Sequence, residues 1–376
     1  MIWYGIEKPQ PSRHAPPLTM PPVRLKDVAE RAGVSVMTVS KVLRNEPDVS
    51  AATKTRIRAL ALEMGYVPDV LAQSMRTRST RLVGLIIPAI TNPVFARLLL
   101  AVEERVHDRG YDLLLAHTLN RPEREEATIR RMIARRVNGL LIFPVHRFEN
   151  RLALAEDLRR QNLPTVVLGP PPAAWTGIPS VQVDDVQGGY EAAKHLLDLG
   201  HRKIAFLAGP SAAVWAQQRF EGHQRALREA GIALDDRLVF QAGGTIEEGA
   251  KAALQMLHEN VEATAFQAVN DLVAIGAADL LLNQGLRIPD DVSVVGFGNV
   301  LTSSFFRIPL TTVRQPKYSM GTAAMEMLEA LWRGERPDSR RLPPALLIRR
   351  STARPPADFK LASTHPPPPS NEGKPS

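Results

Sequence analysis

Between Arg24 and Met75 the chain reads RLKDVAERAGVSVMTVSKVLRNEPDVSAATKTRIRALALEMGYVPDVLAQSM, and no other stretch constrains its folding as tightly. Leu25, Val28, Ala29 and Ala32 recur at i, i+3, i+4 and i+7, one face of an α-helix. Gly33 follows, where a left-handed residue ends that helix and turns the chain. Ser35 is placed to cap a second helix, with Val39, Val42 and Leu43 inward and Met37, Thr38, Lys41 and Arg44 outward. Ser50 caps a third, whose buried stripe is Ile57, Leu60, Ala61 and Met64, and Gly65 ends it. Two short helices about a glycine turn, backed by a third, predict a helix-turn-helix unit. Such a unit lays its second helix in the major groove of DNA, N-terminal residues toward the base edges. By that geometry Val36, Met37 and Lys41 are the base readers. Lys41 can donate to guanine O6 or N7, and the two apolar residues can meet a thymine methyl. Ser35, Thr38, Ser40, Arg44, Ser50 and Thr53 suit phosphates, which set register and not sequence. A three-helix fragment without a nucleic-acid role shares the bare pattern, so charge and context must separate the two.

The charge is concentrated in this module. Met20 to Arg81 holds eleven Lys/Arg against six Asp/Glu, and the 295 residues beyond Arg81 carry only +2 of the chain's net +8. A basic excess confined to one small unit is what a polyanion-binding unit needs. There is no cysteine, which excludes disulfides and thiolate metal sites and fits a reducing cytoplasm. No apolar run approaches the length of a membrane span. Residues 1–19 carry four prolines and no periodic pattern, and lack the basic-then-apolar order of a secretion signal, so they read as a disordered extension ahead of Met20. Residues 355–376 include HPPPPSNEGKPS and read as a disordered tail.

After the basic residues Arg76, Arg78 and Arg81 the rhythm changes. Short apolar runs recur: LVGLII at Leu82, DLLLA at Asp112, GLLIF at Gly139, TVVL at Thr165, SVQV at Ser180, KIAFL at Lys203, AFQAV at Ala265 and SVVGF at Ser293. Helical patterns lie between most of them, the first with Phe95, Leu98, Leu99, Val102 and Val106 as its stripe. Strands alternating with helices predict parallel sheet covered on both faces. There are too many for one compact sheet, so two doubly wound subdomains are expected. Such sheets bind ligands in the crevice at the carboxyl ends of their strands. Asn270 and Asp271 follow the AFQAV strand directly and belong at that edge.

The N-terminal block resembles the DNA-binding domain of the LacI/GalR family of bacterial regulators: DVAERAGVS, TVSKVL, VS-x-x-T and MGYVPD stand in that family's order and spacing. The phrases VGLIIPAITNPVF, GGYEAAKHLLDLGHRKIAFLAG, AVNDLVAIGA and SVVGFGN-to-PLTTVRQP resemble the family's sensor core, so the resemblance runs from Arg24 to about Thr352. It implies a small all-α helix-turn-helix headpiece, about residues 20–67. The implied α/β core of two doubly wound parallel-sheet subdomains is of the periplasmic-binding-protein-like type I. It implies that residues 68–80 form a hinge and linker, helical when two subunits meet on DNA. Ala72 lies on that hinge and Met75 at the position of a minor-groove wedge. Three chain crossings, near Val183, Thr312 and Arg341, would give one subdomain of about 81–182 and 312–340. The other would comprise about 183–311 and 341–354. Arg219 and Asn270 are then effector contacts with Asp271 beside them, Phe95 lines the pocket from the other subdomain, and Phe297, Gly298 and Gln315 are further candidates.

The chain departs from that pattern in three places. Lys41 stands where the family usually has Arg, and Arg44 where it has Asn, so the half-site preference is expected to differ. Gly298 replaces an Asp that accepts hydrogen bonds from ligand hydroxyls in sugar-responsive relatives, which points to an altered effector. The function implied is a ligand-responsive transcriptional regulator, in the repressor sense, on a pseudo-palindromic operator in double-stranded DNA. It would act in the cytoplasm as a homodimer, with a tetramer left open. Its effector would be a sugar or sugar-derived metabolite, and neither cofactor nor metal is expected. A solute-binding protein for transport shares the core and is the rival reading; the missing signal and the attached helix-turn-helix oppose it. An enzyme is opposed by the motifs: Gly296-Phe-Gly298 opens a dinucleotide-loop pattern, but Leu301 stands at its third glycine.

Overall fold

The structure, a computed structural model, describes residues 23–67, 79–147 and 152–357. The expected extension 1–19, the hinge candidates Ala72 and Met75, and the tail from residue 358 lie outside the described residues.

The chain divides into two compact units at Arg78. In the first, α1 (Leu25–Ala32) ends at Gly33, whose φ of +65° is left-handed. Ser35 caps α2 (Val36–Leu43) by accepting from the Thr38 N–H, and Ser50 caps α3 (Ala51–Glu63) by accepting from the Thr53 N–H. Each serine meets one of the four N–H groups a helix start leaves unpaired. Val28, Val39, Val42 and Ile57 are fully buried where the three helices meet. Two arginines of α3 finish the other ends: Arg56 donates to the Ala32 carbonyl (3.1 Å) and Arg58 to that of Val42 (3.4 Å). A cation at a helix C-terminus satisfies orphan carbonyls and complements the dipole.

The second unit contains two six-stranded sheets. The first runs β11-β5-β4-β3-β1-β2, all parallel, from β1 (Leu82–Ile87), β2 (Asp112–His117), β3 (Gly139–Ile142), β4 (Thr165–Leu168), β5 (Ser180–Val183) and β11 (Arg340–Leu342). The second runs β12-β10-β9-β8-β6-β7, from β6 (Ile204–Ala208), β7 (Val239–Gln241), β8 (Ala265–Ala268), β9 (Ser293–Gly298), β10 (Thr311–Arg314) and β12 (Ala345–Leu347); only β12 is antiparallel. On the first sheet lie α4 (Ala96–Asp108), α5 (Pro122–Ala134), α6 (Leu152–Arg160) and α12 (Lys317–Trp332); with the second go α7 (Asp185–Asp198), α8 (Val214–Glu229), α9 (Ile246–His258), α10 (Asp271–Asn283) and the short α11 (Leu301–Phe305). The central strands β3, β4, β8 and β9 are buried along their whole length, as a sheet covered on both faces requires.

Two of the expected crossings move. β10 pairs in parallel with β9, Thr312 opposite Gly296 and Val313 opposite Phe297, so residues 311–314 belong to the second subdomain and the chain crosses at Gln315–Pro316. β11 pairs with β5, so the return crossing lies at Pro343–Pro344 and not at Arg341. Composition marks TTVR as a strand but is silent about which sheet takes it; the register with β9 decides. α12 escaped the periodic reading of the chain. It is buried around most of its girth, with Met320, Ala324, Met325, Met327 and Leu328 all in the core, so only a narrow polar edge through Thr322, Glu326 and Glu329 marks its period. Its Gly321 meets α4 closely: a Cβ there would stand 2.7 Å from the Leu98 carbonyl oxygen.

Candidate functional site

In the first unit the side chains at the start of α2 face solvent. Val36 is 47% and Met37 63% exposed, although both are apolar. Lys41 lies one turn on from Met37, the same face by the i, i+4 rule. Its ammonium forms an ion pair with Asp48, and the Asp48 carboxyl is held below the usual carboxylate range by that contact. Arg44 is exposed at the C-terminus of α2 and lies 3.5 Å from the Glu46 carboxylate. Ser35 and Thr38 bond to each other (2.9 Å), as do Ser50 and Thr53 (2.8 Å), while Ser40 is half-buried on α2. The serines are therefore caps first. The apolar pair and Lys41 share an exposed face, with Asp48 as the counter-ion of its cation.

In the second unit a cleft of about 680 Å³ opens between the carboxyl edges of the two sheets. Phe95, Arg219, Asn270, Asp271, Phe297 and Gln315 line it. Phe95 closes a short turn ahead of α4, half-buried, and meets the Phe143 ring edge-on at 4.8 Å. Arg219 is only 6% exposed. Its Nε donates to Asp185 Oδ1 (2.8 Å) and its Nη1 to the Val269 carbonyl (2.8 Å). The guanidinium carbon lies 3.6 Å from the centre of the Phe297 ring and 4.6 Å from that of Trp215. Burial pushes the Asp185 carboxyl above its ordinary value, and the Arg219 charge beside it opposes that push. Two buried ions thus neutralise each other against the cleft wall.

Asn270 and Asp271 are committed to the fold. Asn270 caps α10 by accepting from the Val273 N–H (2.8 Å), and its amide donates to the Gly244 carbonyl (3.1 Å). Asp271 accepts from the Thr312 hydroxyl (2.5 Å) and the Val300 N–H (2.9 Å). Burial raises its carboxyl, and those two bonds pull the other way. Lys317, at the start of α12, donates to the carbonyls of Gly298 (2.6 Å) and Asn299 (3.0 Å); burial lowers its ammonium to about 8. Gln315 is half-buried, and no hydrogen bond of its carboxamide appears among the described residues.

Besides Lys317, which reaches from α12 to the end of β9, a side-chain pair spans the cleft. Trp215, on α8 of the second subdomain, donates its indole N–H to His146 Nε2 (2.8 Å), and His146 follows β3 of the first. Burial lowers the His146 imidazole to about 4, so at neutral pH the ring is uncharged and keeps the lone pair this bond needs.

A cleft between paired α/β subdomains, and a three-helix unit with a bare second helix, are the two sites to be matched with known proteins. The profile of bacterial regulatory proteins, lacI family, matches residues 24–69, and that of a periplasmic binding protein-like domain matches residues 193–352. The HTH-type transcriptional regulator DegA of Bacillus subtilis (strain 168) is 32% identical over 329 residues, covering 87% of this chain and 97% of DegA. The chain belongs to the LacI family. The HTH-type transcriptional repressor CytR of Escherichia coli (strain K12) is also 32% identical, over 331 residues, 87% of this chain and 96% of CytR. Among solved structures, the lac repressor dimer bound to operator and the anti-inducer ONPF superposes with a TM-score of 0.79 at 29% identity, covering 89% of this chain and all of that one. Like its relatives, this LacI-family protein is a DNA-binding transcriptional regulator.

Within that family frame one expected contact changes its meaning. Gly298 is not among the residues lining the cleft. Its φ of +134° is a conformation that side-chain-bearing residues rarely adopt, and a Cβ there would lie 3.5 Å from Asp271 Oδ2. The position serves the cleft through its carbonyl, which holds Lys317. Gly298→Asp is therefore expected to lower stability by about 1–3 kcal/mol, from the backbone conformation and from a second carboxylate beside Asp271. Thermal unfolding of Gly298→Asp beside Gly298→Ala checks this; an unchanged melting temperature in the Asp variant would refute it. Asp185, His146, Trp215 and Lys317 were not singled out from the sequence. Each becomes a site residue only through a partner at least 18 positions away.

Proposed function

We propose that this regulator binds a pseudo-palindromic operator as a cytoplasmic homodimer, in the repressor sense, and that a small uncharged metabolite of the sugar or sugar-derived class enters the inter-subdomain cleft to control DNA affinity. The observation that carries the reading is the cleft itself. It is large enough for a metabolite, the Arg219 charge on its wall is balanced by Asp185, and both the tryptophan–histidine bond and the Lys317 ammonium join its two walls. A ligand that favours the closed or the open arrangement shifts DNA binding by its differential affinity for the two, and no more. The exposed Leu301 and Phe305 on α11, both apolar and more than two-thirds exposed, support association with a second copy. A transport-type solute-binding protein would share the cleft but would have no use for the bare Val36–Met37–Lys41 face.

Selection of bound sequences from random double-stranded DNA, with and without a panel of sugars and sugar derivatives, tests the reading. Enrichment of a two-fold symmetric site whose occupancy responds to one compound is the expected result; no enrichment at all would sink it. On that site Lys41→Ala is expected to weaken specific binding by about 1–3 kcal/mol. An equal loss on random DNA would make Lys41 a phosphate contact. Trp215→Phe keeps the ring but removes the cross-cleft donor, a change of about 0.5–1.5 kcal/mol in favour of the open cleft. Small-angle scattering of the unliganded protein should report a larger radius of gyration; an identical curve would mean that the bond does not hold the cleft.

A further inference from the structure

At the end of the second sheet away from the cleft lies another cavity, of about 190 Å³. It opens beside the first residues of β6 and β7, under the C-terminal half of α8, and Ile204, Leu227, Ile232 and Leu238 give it aliphatic walls. His223 borders it, although its side chain is only 1% exposed overall.

The hydrogen bonds around His223 decide which of its nitrogens carries the proton. Gln267, buried on β8, donates its amide Nε2–H to the Gly189 carbonyl (3.0 Å). Its Oε1 is therefore the atom facing His223 Nδ1 (2.8 Å), and an amide oxygen only accepts. Nδ1 must carry the proton. Burial holds the imidazole near 4, so the ring is neutral and Nε2 is a bare acceptor. No donor among the described residues reaches Nε2. His223 is not among the buried groups left without a partner; its slight exposure lies on the cavity lining, so a ligand hydroxyl there would take the place of solvent at Nε2.

We propose that this cavity is a second small-molecule site, separate from the cleft, for an uncharged single-ring compound of the phenol class whose hydroxyl donates to His223 Nε2. The size fits: an apolar cavity of about 150 Å³ holds benzene, so one ring with a substituent fills this one. The charge fits as well. An anion would bring acceptors to an acceptor at Nε2, and the charges at the mouth are of both signs, Arg202 and Lys203 beside Asp235, with Lys203 paired with Glu262 and Asp235 with Arg237. The site is coupled to the rest of the subdomain. Arg219 of the cleft lies one turn from His223 on the same helix, and Gln267 ties the histidine to α7. A ring bound there would be felt by the helix that presents Arg219.

Titrating the full chain with phenol and, separately, with toluene tests the assignment. Binding is followed by the His223 ring nitrogen shifts in NMR and by the melting temperature. Phenol should saturate, raise the melting temperature and shift Nε2, and bind at least about fivefold more tightly than toluene, which offers no donor. Leu238→Trp, which fills the cavity from its half-buried wall, should abolish both responses. His223→Phe should leave phenol no better than toluene. Equal binding of phenol and toluene, a phenol response that never saturates, or one that survives Leu238→Trp would each overturn the proposal. If His223→Phe does not fold, the wild-type comparison and Leu238→Trp still decide.

Discussion

Asp185→Ala is expected to destabilise the second subdomain by about 3–5 kcal/mol, the loss typical when one member of a buried ion pair is removed and the other charge stays behind. The reason lies with Arg219. Its guanidinium is 6% exposed, roofed by Phe297 and Trp215, and among the described residues Asp185 is the one carboxylate within ion-pairing distance of it. The Val269 carbonyl can take one N–H but cannot balance a charge. Asp185→Asn should cost clearly less, because an amide oxygen still accepts from Nε. The double variant Asp185→Ala with Arg219→Met should lose less than Asp185→Ala alone, since no charge is then stranded. Urea denaturation of the four proteins measures this. If Asp185→Ala unfolds within about 1 kcal/mol of the parent, Arg219 is not the enclosed cation described above.

The second large effect is expected at Gly222. α7 and α8 pack backbone to backbone: a Cβ on Gly222 would fall 2.1 Å from the Val186 carbonyl oxygen and 2.5 Å from the Tyr190 nitrogen. Gly189 answers from the other helix, where a Cβ would lie 2.2 Å from the Arg219 carbonyl oxygen. Every obstructing atom is main chain, so no side chain can turn aside and the helices must separate. Overpacking typically costs about 1–3 kcal/mol, and the rigid neighbours place Gly222→Val at about 3 kcal/mol or more. Gly222→Ala should already show most of the loss. Gly244→Ala is the control: its new Cβ would meet nothing nearer than the Asn270 amide at 3.8 Å, so its melting temperature should stay close to the parent's. A Gly222→Val protein as stable as the Gly244→Ala control would contradict the close approach of α7 and α8.

The effector candidates divide according to how their side chains are employed. Arg219, Phe95, Phe297 and Gln315 face the cleft with at least part of their chemistry turned toward it. Asn270 and Asp271 line it too, yet the Asn270 amide caps α10 and the Asp271 carboxylate ties α10 to β10. Being at the carboxyl edge of a strand locates a residue but does not free its polar atoms.

What the sequence alone determined is what local physics controls. Ser35 and Ser50 cap helices because a hydroxyl two or three residues from an orphan N–H needs only a turn of backbone to reach it. Gly33 ends α1 because that position is left-handed, and the i, i+3, i+4 spacing of Val28, Ala29 and Ala32 buries one face whatever lies beyond. The alternation of apolar strands with helices likewise announced a core of two sheets, each covered by helices on both faces. Tertiary structure alone decided the rest. β10 could have joined either sheet until its register with β9 was formed. Asp185 meets Arg219 across 34 positions, His146 meets Trp215 across 69, and His223 meets Gln267 across 44. Capping and periodicity act over a helical turn. A buried charge, a bond across a cleft or an imidazole tautomer is set by whichever group packing brings within 3 Å, and no spacing along the chain encodes that distance.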